Sequence, residues 1–167
     1  EIEPGTFVVA NSGHIITRII DKKFTNEMNF LIVDGGMELL TRPLLYGSEH
    51  PIYIVRQDGT LLSSEYDQAP ADGLKSFGIV GRCCESGDSV RLDNAGNIVP
   101  VEIIEPEIGD YVVIGGTGAY SESMSPENYN SHRKPGAVMK TKGGELVLIR
   151  KKQVRSQLTE NELDVTL

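Results

Sequence analysis

Short apolar runs, each bounded by turn-forming residues, recur through most of the chain and constrain its fold more than any other feature. Brief runs rich in β-branched and aromatic residues between glycine, proline, asparagine and aspartate are typical of β-strands. The runs are residues 30–33, 52–55, 77–80, 99–104, 111–114 and 146–149. They predict a mainly β chain whose sheet forms a sandwich or a barrel-like body.

Tight turns between these runs support the all-β prediction. Asp58-Gly59 and Gly143-Gly144 supply glycine where a short hairpin needs a positive φ, and Asn94-Ala95-Gly96-Asn97 predicts a further turn. A chain of 167 residues, 39% of them hydrophobic, can bury enough surface to fold as one domain. We therefore expect a single β domain with a core of its own.

The two ends of the chain follow a different pattern. From Phe7 to Asp21 the apolar residues return every three to four positions, which predicts a helix with one buried stripe. The β-branched residues and Gly13 in this segment lower helix propensity and would also suit a strand. Thr159 and Glu162 have the spacing of a capping box, so a short C-terminal helix is predicted to begin there.

Charge and hydropathy exclude two classes of partner. The formal net charge of −8 would repel a phosphate backbone, so nucleic acid is not an expected partner. No run approaches the roughly 18 apolar residues that span a bilayer, and no signal segment precedes the first turn. We therefore expect a soluble, cytoplasmic protein that does not bind a membrane.

The cysteines and histidines give no sign of a disulfide or a metal site. Cys83 and Cys84 are adjacent, and neighbouring residues cannot form a disulfide of ordinary geometry, so both are expected to be thiols of a reducing compartment. His14, His50 and His132 are scattered without the spacing of metal ligands. No metal is expected, and a lone histidine such as His50 is interpreted as a surface or hydrogen-bonding residue.

Several short motifs occur in one order along the chain. They are Glu3-Pro4-Gly5, Arg42-Pro43-Leu44-Leu45-Tyr46-Gly47, Cys84-Glu85-Ser86-Gly87-Asp88, Gly118-Ala119-Tyr120 and Asn128-Tyr129-Asn130. Together they resemble the C-terminal part of the pyridoxal-phosphate amino-acid decarboxylases typified by diaminopimelate and ornithine decarboxylase. The resemblance implies that residues 1–23 are the last turn and helix of a (β/α)8 barrel that is otherwise absent, and that residues 24–167 are the C-terminal β domain.

The resemblance implies a pyridoxal 5'-phosphate cofactor and assigns two residues to it. Glu3 matches the family carboxylate that faces the pyridine nitrogen, where a negative charge keeps the ring protonated and electron-withdrawing. Tyr120 should reach both the cofactor phosphate and the substrate, because a phenol supplies a hydrogen-bond donor on a rigid ring. Without the resemblance, Glu3 is an ordinary acidic residue before a turn, and Tyr120 is a tyrosine packed at a sheet end.

The same resemblance assigns the substrate and the proton donor. Cys84 stands directly before the acidic residue, as the family's catalytic thiol does, and would reprotonate the carbanion as a general acid. Glu85 would bind the distal ammonium group of the substrate, while Arg42 and Tyr46 would bind a distal carboxylate. The alternative is that Arg42 only ends a short helix beside a half-buried Tyr46. Cys83 is interpreted as a small core residue.

The residue type at two positions decides between substrates. Ornithine decarboxylases carry aspartate where this chain has Glu85, so the resemblance favours the diaminopimelate branch and implies formation of L-lysine. Thr6, however, stands where most relatives have arginine, which keeps another substrate open, such as ornithine or a carrier-bound amino acid.

What the chain lacks keeps a further interpretation open. The lysine that holds the cofactor and the glycine-rich phosphate loop are not in this sequence, so the isolated chain should be inactive and the full-length enzyme a homodimer with a shared site. A non-catalytic regulator that keeps only the dimer surface is the third interpretation, and the presence of Cys84, Glu85 and Tyr120 argues against it.

Overall fold

The structure is a computed structural model that describes residues 2–65 and 73–165. The chain divides into two compact units, Glu1–Pro126 and Glu127–Leu167. We refer to them as the sheet unit and the hairpin unit.

Seven strands of the sheet unit form one sheet. They are β1 (Ile15–Phe24), β2 (Asn29–Val33), β3 (Ile52–Val55), β4 (Leu61–Ser64), β5 (Leu74–Val80), β6 (Val101–Ile104) and β7 (Tyr111–Ile114). Their order across the sheet is β4-β3-β7-β1-β2-β5-β6. Neighbours are antiparallel except β2 and β5, which are parallel. The edge strands β4 and β6 approach each other, so the sheet curls into a nearly closed barrel.

The inside of this barrel is apolar because alternate residues of each strand point inwards. Ile52 and Ile54 of β3 are fully buried, as is Val112 of β7. The long strand β1 pairs with β7 through its first residues and with β2 through the rest, so it joins the two halves of the sheet. The core contains Ile19, Leu31, Val33, Leu40, Ile52, Ile54, Phe77, Ile79, Val90, Val101, Ile103, Val112 and Ile114.

Three short helices of the sheet unit lie outside the strands. They are α1 (Gly5–Val9), which continues as the 3-10 helix Ala10–Ser12, α2 (Arg42–Tyr46) and α3 (Ser121–Met124). Proline in the first turn of α2 fits the φ that a helix start requires, and Gly47 ends this helix with a φ of 58°. Across residues 2–65 and 73–165, no helix is long and apolar enough to cross a membrane.

The hairpin unit contains two strands, β8 (Ala137–Lys140) and β9 (Leu146–Arg150), which pair antiparallel. The turn between them contains Gly144, with a φ of 88°, as the glycine pair in the sequence predicts. The 3-10 helices Tyr129–Ser131 and Arg155–Leu158 flank this hairpin.

The mainly β, barrel-like prediction is confirmed, and each predicted strand overlaps an observed one. The helix predicted over residues 7–21 is wrong in its second half, because Ile15–Phe24 is β1. Thr17 and Ile19 are buried while their neighbours face outwards, which is the period of a strand. Pairs of isoleucines fit both periods, and pairing with β2 and β7 decides the outcome.

The helix predicted from Thr159 is wrong within the part of the chain that the structure describes. The helical turn lies earlier, at Arg155–Leu158, where the Gln157 side chain accepts the Val154 N–H at 2.9 Å. Only a turn follows, with the Glu162 N–H donating to the Thr159 carbonyl. The domain boundary between residues 23 and 24 stays a prediction of the sequence.

Candidate active site

Helix α2 holds Arg42 between two tyrosine rings. The guanidinium carbon of Arg42 lies 5.3 Å from the centroid of the Tyr46 ring and 5.7 Å from that of Tyr120. Both distances are in the range of a cation–π interaction. Tyr46 is 60% exposed and Tyr120 52% exposed, so neither ring is packed in the core. The cluster offers a guanidinium fork and two phenol hydroxyls to an anionic ligand from the surface. Arg42 begins α2 rather than ending a helix.

A short series of polar contacts holds α2 beside α3. The backbone N–H of Thr41 donates to the Ser125 hydroxyl at 3.3 Å, and this hydroxyl donates to the Ser121 carbonyl at 2.7 Å. Arg42 follows Thr41 directly, and Tyr120 immediately precedes Ser121. These contacts therefore hold the guanidinium and the Tyr120 ring side by side.

The segment 115–120, which we call the Tyr120 turn, presents its tyrosine with an unusual backbone. Tyr120 has a φ of 61°, in the left-handed region that a bulky side chain rarely adopts. The turn is anchored by a bond from the Gly118 N–H to the Ala10 carbonyl at 2.8 Å. A Cβ at Gly118 would collide with the Val9 carbonyl, so only glycine allows this approach. A close backbone contact, which requires glycine at position 118, therefore anchors the turn that carries Tyr120.

Glu3 and Tyr120 lie at the surface of one depression. Both residues line an open depression of about 530 Å³, together with Pro4, Gly5, Val8 and Val9. A Cβ added at Gly5 would lie 3.2 Å from the Tyr120 hydroxyl, so the phenol oxygen sits directly over this glycine. The depression thus brings a carboxylate and a phenol to one solvent-open surface.

The two cysteines lie on the loop of residues 81–88, which follows β5 and which we call the Cys84 loop. The Cys84 side chain is exposed, whereas Cys83 is half buried, and both are free thiols. Cys83 Sγ lies 3.8 Å from Oε2 of Glu38. Burial, and then the carboxylates of Asp88 and Glu38, raise the pKa of Cys83 to about 12. Cys84 is therefore the accessible thiol, while Cys83 stays protonated.

Asp88 holds the Cys84 loop against the segment after β2, a role that the sequence did not reveal. Asp88 is only 3% exposed. Its carboxylate accepts the Met37 N–H at 2.7 Å and the Cys83 N–H at 2.6 Å. A Cβ at Gly36 or Gly81 would collide with this carboxylate. The Gly35-Gly36 pair is a signal in the sequence for this close approach, but nothing local links it to Asp88.

The Cys84 loop also packs on α2. A Cβ at Gly87 would lie 2.6 Å from Cδ1 of Leu44, so the loop backbone contacts the helix that carries Arg42. The Ser86 hydroxyl donates to the Glu85 carboxylate at 3.2 Å. Of the predicted site residues, Arg42 contacts both Tyr46 and Tyr120, and Glu3 shares a depression with Tyr120. Cys84 and Glu85 are exposed on the Cys84 loop, and the described contacts do not bring them to this cluster.

His50, interpreted from the sequence as a surface or hydrogen-bonding residue, is buried and forms a hydrogen bond near the same cluster. Its Nδ1 lies 3.1 Å from the Gly115 carbonyl at the base of the Tyr120 turn. Because a carbonyl only accepts, Nδ1 carries a proton. Burial, followed by the charges of Arg42 and Arg91, lowers the pKa of His50, which the bond to Gly115 partly offsets. The neutral imidazole therefore holds the first residue of the Tyr120 turn.

Family comparison identifies the class of protein to which this arrangement belongs. Residues 6–118 match the sequence profile of the C-terminal sheet domain of pyridoxal-dependent decarboxylases, and the chain belongs to this family. Among its curated relatives, the diaminopimelate decarboxylases of Buchnera aphidicola subsp. Baizongia pistaciae and Escherichia coli (strain K12) are 38% and 39% identical to it, each over 98% of this chain. The family resemblance drawn from the motifs is thereby confirmed.

Solved structures agree with the sequence relatives. A crystal structure of diaminopimelate decarboxylase superposes with a TM-score of 0.82 and 36% identity, covering 95% of this chain and 35% of that chain. The Helicobacter pylori diaminopimelate decarboxylase complexed with L-lysine has a TM-score of 0.74 and 30% identity, covering 96% of this chain and 34% of that chain. The chain spans 37% of the length of the two curated relatives, so it corresponds to about a third of such a protein.

Proposed function

We propose that this chain is the C-terminal sheet domain of a cytoplasmic diaminopimelate decarboxylase, which releases CO2 from meso-2,6-diaminopimelate and forms L-lysine in lysine biosynthesis. The observation that carries the proposal is the similarity to diaminopimelate decarboxylases along nearly the whole chain. The cluster of Arg42, Tyr46 and Tyr120 supports it, because it offers charge and hydroxyls to a carboxylate. The isolated chain should be inactive, since most of the protein lies outside it.

The described residues fit the pyridoxal phosphate that the family name implies. The Glu3 carboxylate would face the ring nitrogen and the Tyr120 hydroxyl would reach the phosphate, and both groups line one open depression. Glycine at position 5 keeps the surroundings of the phenol oxygen open. When bound, this cofactor supplies the electron sink that loss of CO2 from an amino acid requires.

Arg42 and Tyr46, together with Glu85 from a second copy, would recognise the distal end of the substrate. This end of diaminopimelate carries both a carboxylate and an ammonium group. The guanidinium of Arg42 and the hydroxyl of Tyr46 suit the carboxylate, and the carboxylate of Glu85 suits the ammonium. Ornithine and lysine lack the distal carboxylate, so an arginine fixed between two rings favours diaminopimelate over both.

Cys84 would act as the general acid. Its Sγ–H would give a proton to the Cα that has lost CO2. Cys83 cannot replace it, because its thiol lies beside Glu38 and has a pKa raised to about 12. By the family resemblance, Cys84 and Glu85 serve the site of a second copy, so the full-length enzyme would be a homodimer.

The test is CO2 release by the full-length protein with pyridoxal phosphate and meso-diaminopimelate. Loss of a general acid lowers rates by about 10²–10⁴-fold, and we expect a fall of this size for Cys84→Ala. The neighbouring variant Cys83→Ala is the matched control and should keep the wild-type rate within about 3-fold, because half-buried Cys83 has no role in the reaction. Failure of the wild-type protein to release CO2, although it binds the cofactor, would reject the proposed function.

Thr6 is the observation that favours a second candidate, a decarboxylase for another amino acid such as ornithine or a carrier-bound amino acid. Thr6 is exposed in α1, and its hydroxyl lacks the charge of the arginine found in most relatives. Comparing kcat/KM for diaminopimelate, ornithine and lysine separates the candidates. A site that pairs with the distal carboxylate should prefer diaminopimelate by about 10⁴-fold, and a clear preference for ornithine would favour the second candidate.

A further inference from the structure

Cys83 and Cys84 are neighbours in the chain, yet their thiols have opposite surroundings. Cys84 is exposed, whereas Cys83 is half buried with its sulfur 3.8 Å from Glu38. The backbone of an exposed loop can adopt several conformations, and each would point the two side chains differently. A specific contact must therefore hold the backbone at Cys83 and Cys84 in one conformation.

The Asp88 carboxylate joins the Cys84 loop to a distant part of the chain. One oxygen accepts the Cys83 N–H at 2.6 Å, and the other accepts the Met37 N–H at 2.7 Å across 51 residues. Both are short bonds to an ionised acceptor, the stronger class of hydrogen bond. Within the loop, the Gly81 N–H donates to the Asp88 carbonyl and the Asp88 N–H to the Glu85 carbonyl. The backbone and side chain of Asp88, at the end of the loop, therefore bind Gly81 and Cys83 at its start.

Two glycines leave room for this carboxylate. A Cβ at Gly36 or at Gly81 would overlap the Asp88 side chain. Neither glycine has a positive φ, so the need is for space and not for an unusual backbone conformation. The buried Asp88 carboxylate thus has two backbone N–H donors and the space left by two glycines around it.

We propose that Asp88 is a positioning residue that directs the Cys83 thiol inwards and thereby presents the Cys84 thiol and the Glu85 carboxylate outwards. The catalytic consequence rests on the proposed function, but the control of the two thiols does not. After burial, Asp88 is the next cause of the raised pKa of Cys83, so the same carboxylate also keeps the inner thiol protonated. One side chain thus selects which of two adjacent cysteines is reactive.

Thiol alkylation of the full-length protein tests the inference without any assay of catalysis. Iodoacetamide attacks thiolates, and a thiol with a pKa near 12 is ionised to only about 1 part in 10⁴ at pH 8. Trypsin, cutting after Arg82 and Arg91, releases one peptide with both cysteines, and tandem mass spectrometry then locates the label. In the wild type we expect labelling of Cys84 to exceed that of Cys83 by at least about 100-fold.

Asp88→Asn removes the charge and one of the two acceptors while keeping the size. We expect its preference for Cys84 to fall at least about 10-fold, because Cys83 is no longer held and its pKa drops. Gly36→Ala is the second variant, since it keeps Asp88 but fills the space of its carboxylate, and it should show the same loss of preference. Circular dichroism on both variants checks that the fold persists.

Asp93→Asn is the matched control. Asp93 also accepts backbone N–H bonds, from Ala95 at 2.9 Å and Asn97 at 2.8 Å, but it lies in an exposed turn outside the Cys84 loop. The ratio of Cys84 to Cys83 labelling in Asp93→Asn should equal that of the wild type. A loss of preference in this control as large as in Asp88→Asn would overturn the assignment of a special role to Asp88.

Steady-state kinetics with meso-diaminopimelate complete the test. We expect Asp88→Asn to lower kcat about 10–100-fold, because a misplaced proton donor affects the chemical step. Wild-type thiol preference in Asp88→Asn would overturn the inference, and altered preference with wild-type kcat would overturn its catalytic consequence. If the wild type releases no CO2 but the thiol preference responds as expected, the proposed function fails and the role of Asp88 in directing the thiols is supported.

Discussion

The Cys84 loop presents the candidate catalytic thiol and the Tyr120 turn a candidate binding residue, but different forces fix their shapes. In the Cys84 loop, the buried carboxylate of Asp88 binds two backbone N–H groups. In the Tyr120 turn, Gly118 lets the backbone approach Ala10 and Val9 closely, with no charged side chain in the contact. A polar contact therefore fixes one segment, and close packing fixes the other.

This difference predicts two kinds of sensitivity. A carboxylate that satisfies buried donors is sensitive to a change of charge or acceptor number, even when the size is unchanged. A backbone contact without a Cβ is sensitive to the addition of a single methyl group. An isosteric loss of charge should therefore disturb the Cys84 loop, whereas the Tyr120 turn, which has no such carboxylate in its contact, should respond to added volume.

The largest expected effect is that of Gly118→Ala. The added Cβ would meet the Val9 carbonyl and lie 2.8 Å from the Ser12 hydroxyl, so the turn must move away from α1. Overpacking at a tight backbone contact should lower the free energy of unfolding by about 2–4 kcal/mol, as urea unfolding of the full-length protein can measure. Gly143→Ala, at a glycine with open surroundings, should change it by less than about 0.5 kcal/mol.

An equal response of Gly118→Ala and Gly143→Ala would contradict the comparison. It would mean that the Tyr120 turn tolerates a methyl group and that its glycine is not required for the close approach.

The second effect is that of Asp88→Asn on stability. The amide keeps one acceptor oxygen, so either the Cys83 or the Met37 N–H is left without its partner in a buried place. An unsatisfied buried donor costs about 1–3 kcal/mol, and the free energy of unfolding should fall by this amount. The same isosteric change at exposed Asp93 should cost less, because water can replace the lost acceptor. If Asp88→Asn is as stable as the wild type, the hydrogen bonds of Asp88 do not stabilise the Cys84 loop.

The sequence predicts the strands better than it predicts either of these segments. β3 and β7 were predicted residue for residue, because their apolar runs are short and bounded by turn residues. β1 was not, since isoleucine pairs at Ile15-Ile16 and Ile19-Ile20 fit both a helix and a strand. Only the neighbours β2 and β7, which lie elsewhere in the chain, decide between the two.

The candidate site shows the same limit. The motifs gave the residue types, but the contact between Arg42 and Tyr120 depends on the close packing of α2 and α3. The role of Asp88 depends on a donor 51 residues away, at Met37, which local sequence cannot reveal. The motifs therefore predict candidate site residues, whereas the residues that hold them in position could not be predicted.

The third effect is a pH dependence of the free energy of unfolding, which we expect from His50 at the base of the Tyr120 turn. The pKa of His50 in the folded chain is lowered from 6.5 by burial and by the charges of Arg42 and Arg91. Below about pH 6.5 the unfolded chain therefore binds more protons than the folded one, and stability falls as the pH falls towards the folded pKa. Urea unfolding between about pH 7.5 and pH 5 should show a smaller loss for His50→Gln than for the wild type.

His14→Gln is the control for this pH dependence, because His14 is exposed on the surface. It should lose the same stability as the wild type between the two pH values. An identical pH response of His50→Gln and the wild type would show that His50 does not connect the Tyr120 turn to pH.

The smallest effect comes from the two rings that flank Arg42, and it tests where the backbone is strained. Tyr46 and Tyr120 both stack on the guanidinium, but Tyr46 lies in α2, whereas Tyr120 has a φ of 61°. Either substitution by asparagine loses a cation–π contact worth about 0.5–1 kcal/mol. In Tyr46→Asn nothing offsets this loss, because tyrosine and asparagine have similar helix propensities.

In Tyr120→Asn the loss is offset, because asparagine tolerates the left-handed conformation and relieves strain of about 1 kcal/mol. Urea unfolding should therefore find Tyr120→Asn within about 0.5 kcal/mol of the wild type and Tyr46→Asn about 0.5–1 kcal/mol less stable. CO2 release should nevertheless fall in Tyr120→Asn, since the phenol is lost. Equal destabilisation of the two variants would mean that the strain at Tyr120 has no energetic weight. The expected difference would show that the Tyr120 turn gives up stability to present its side chain, whereas the Cys84 loop, with no positive φ in residues 81–88, gains stability from the contact that shapes it.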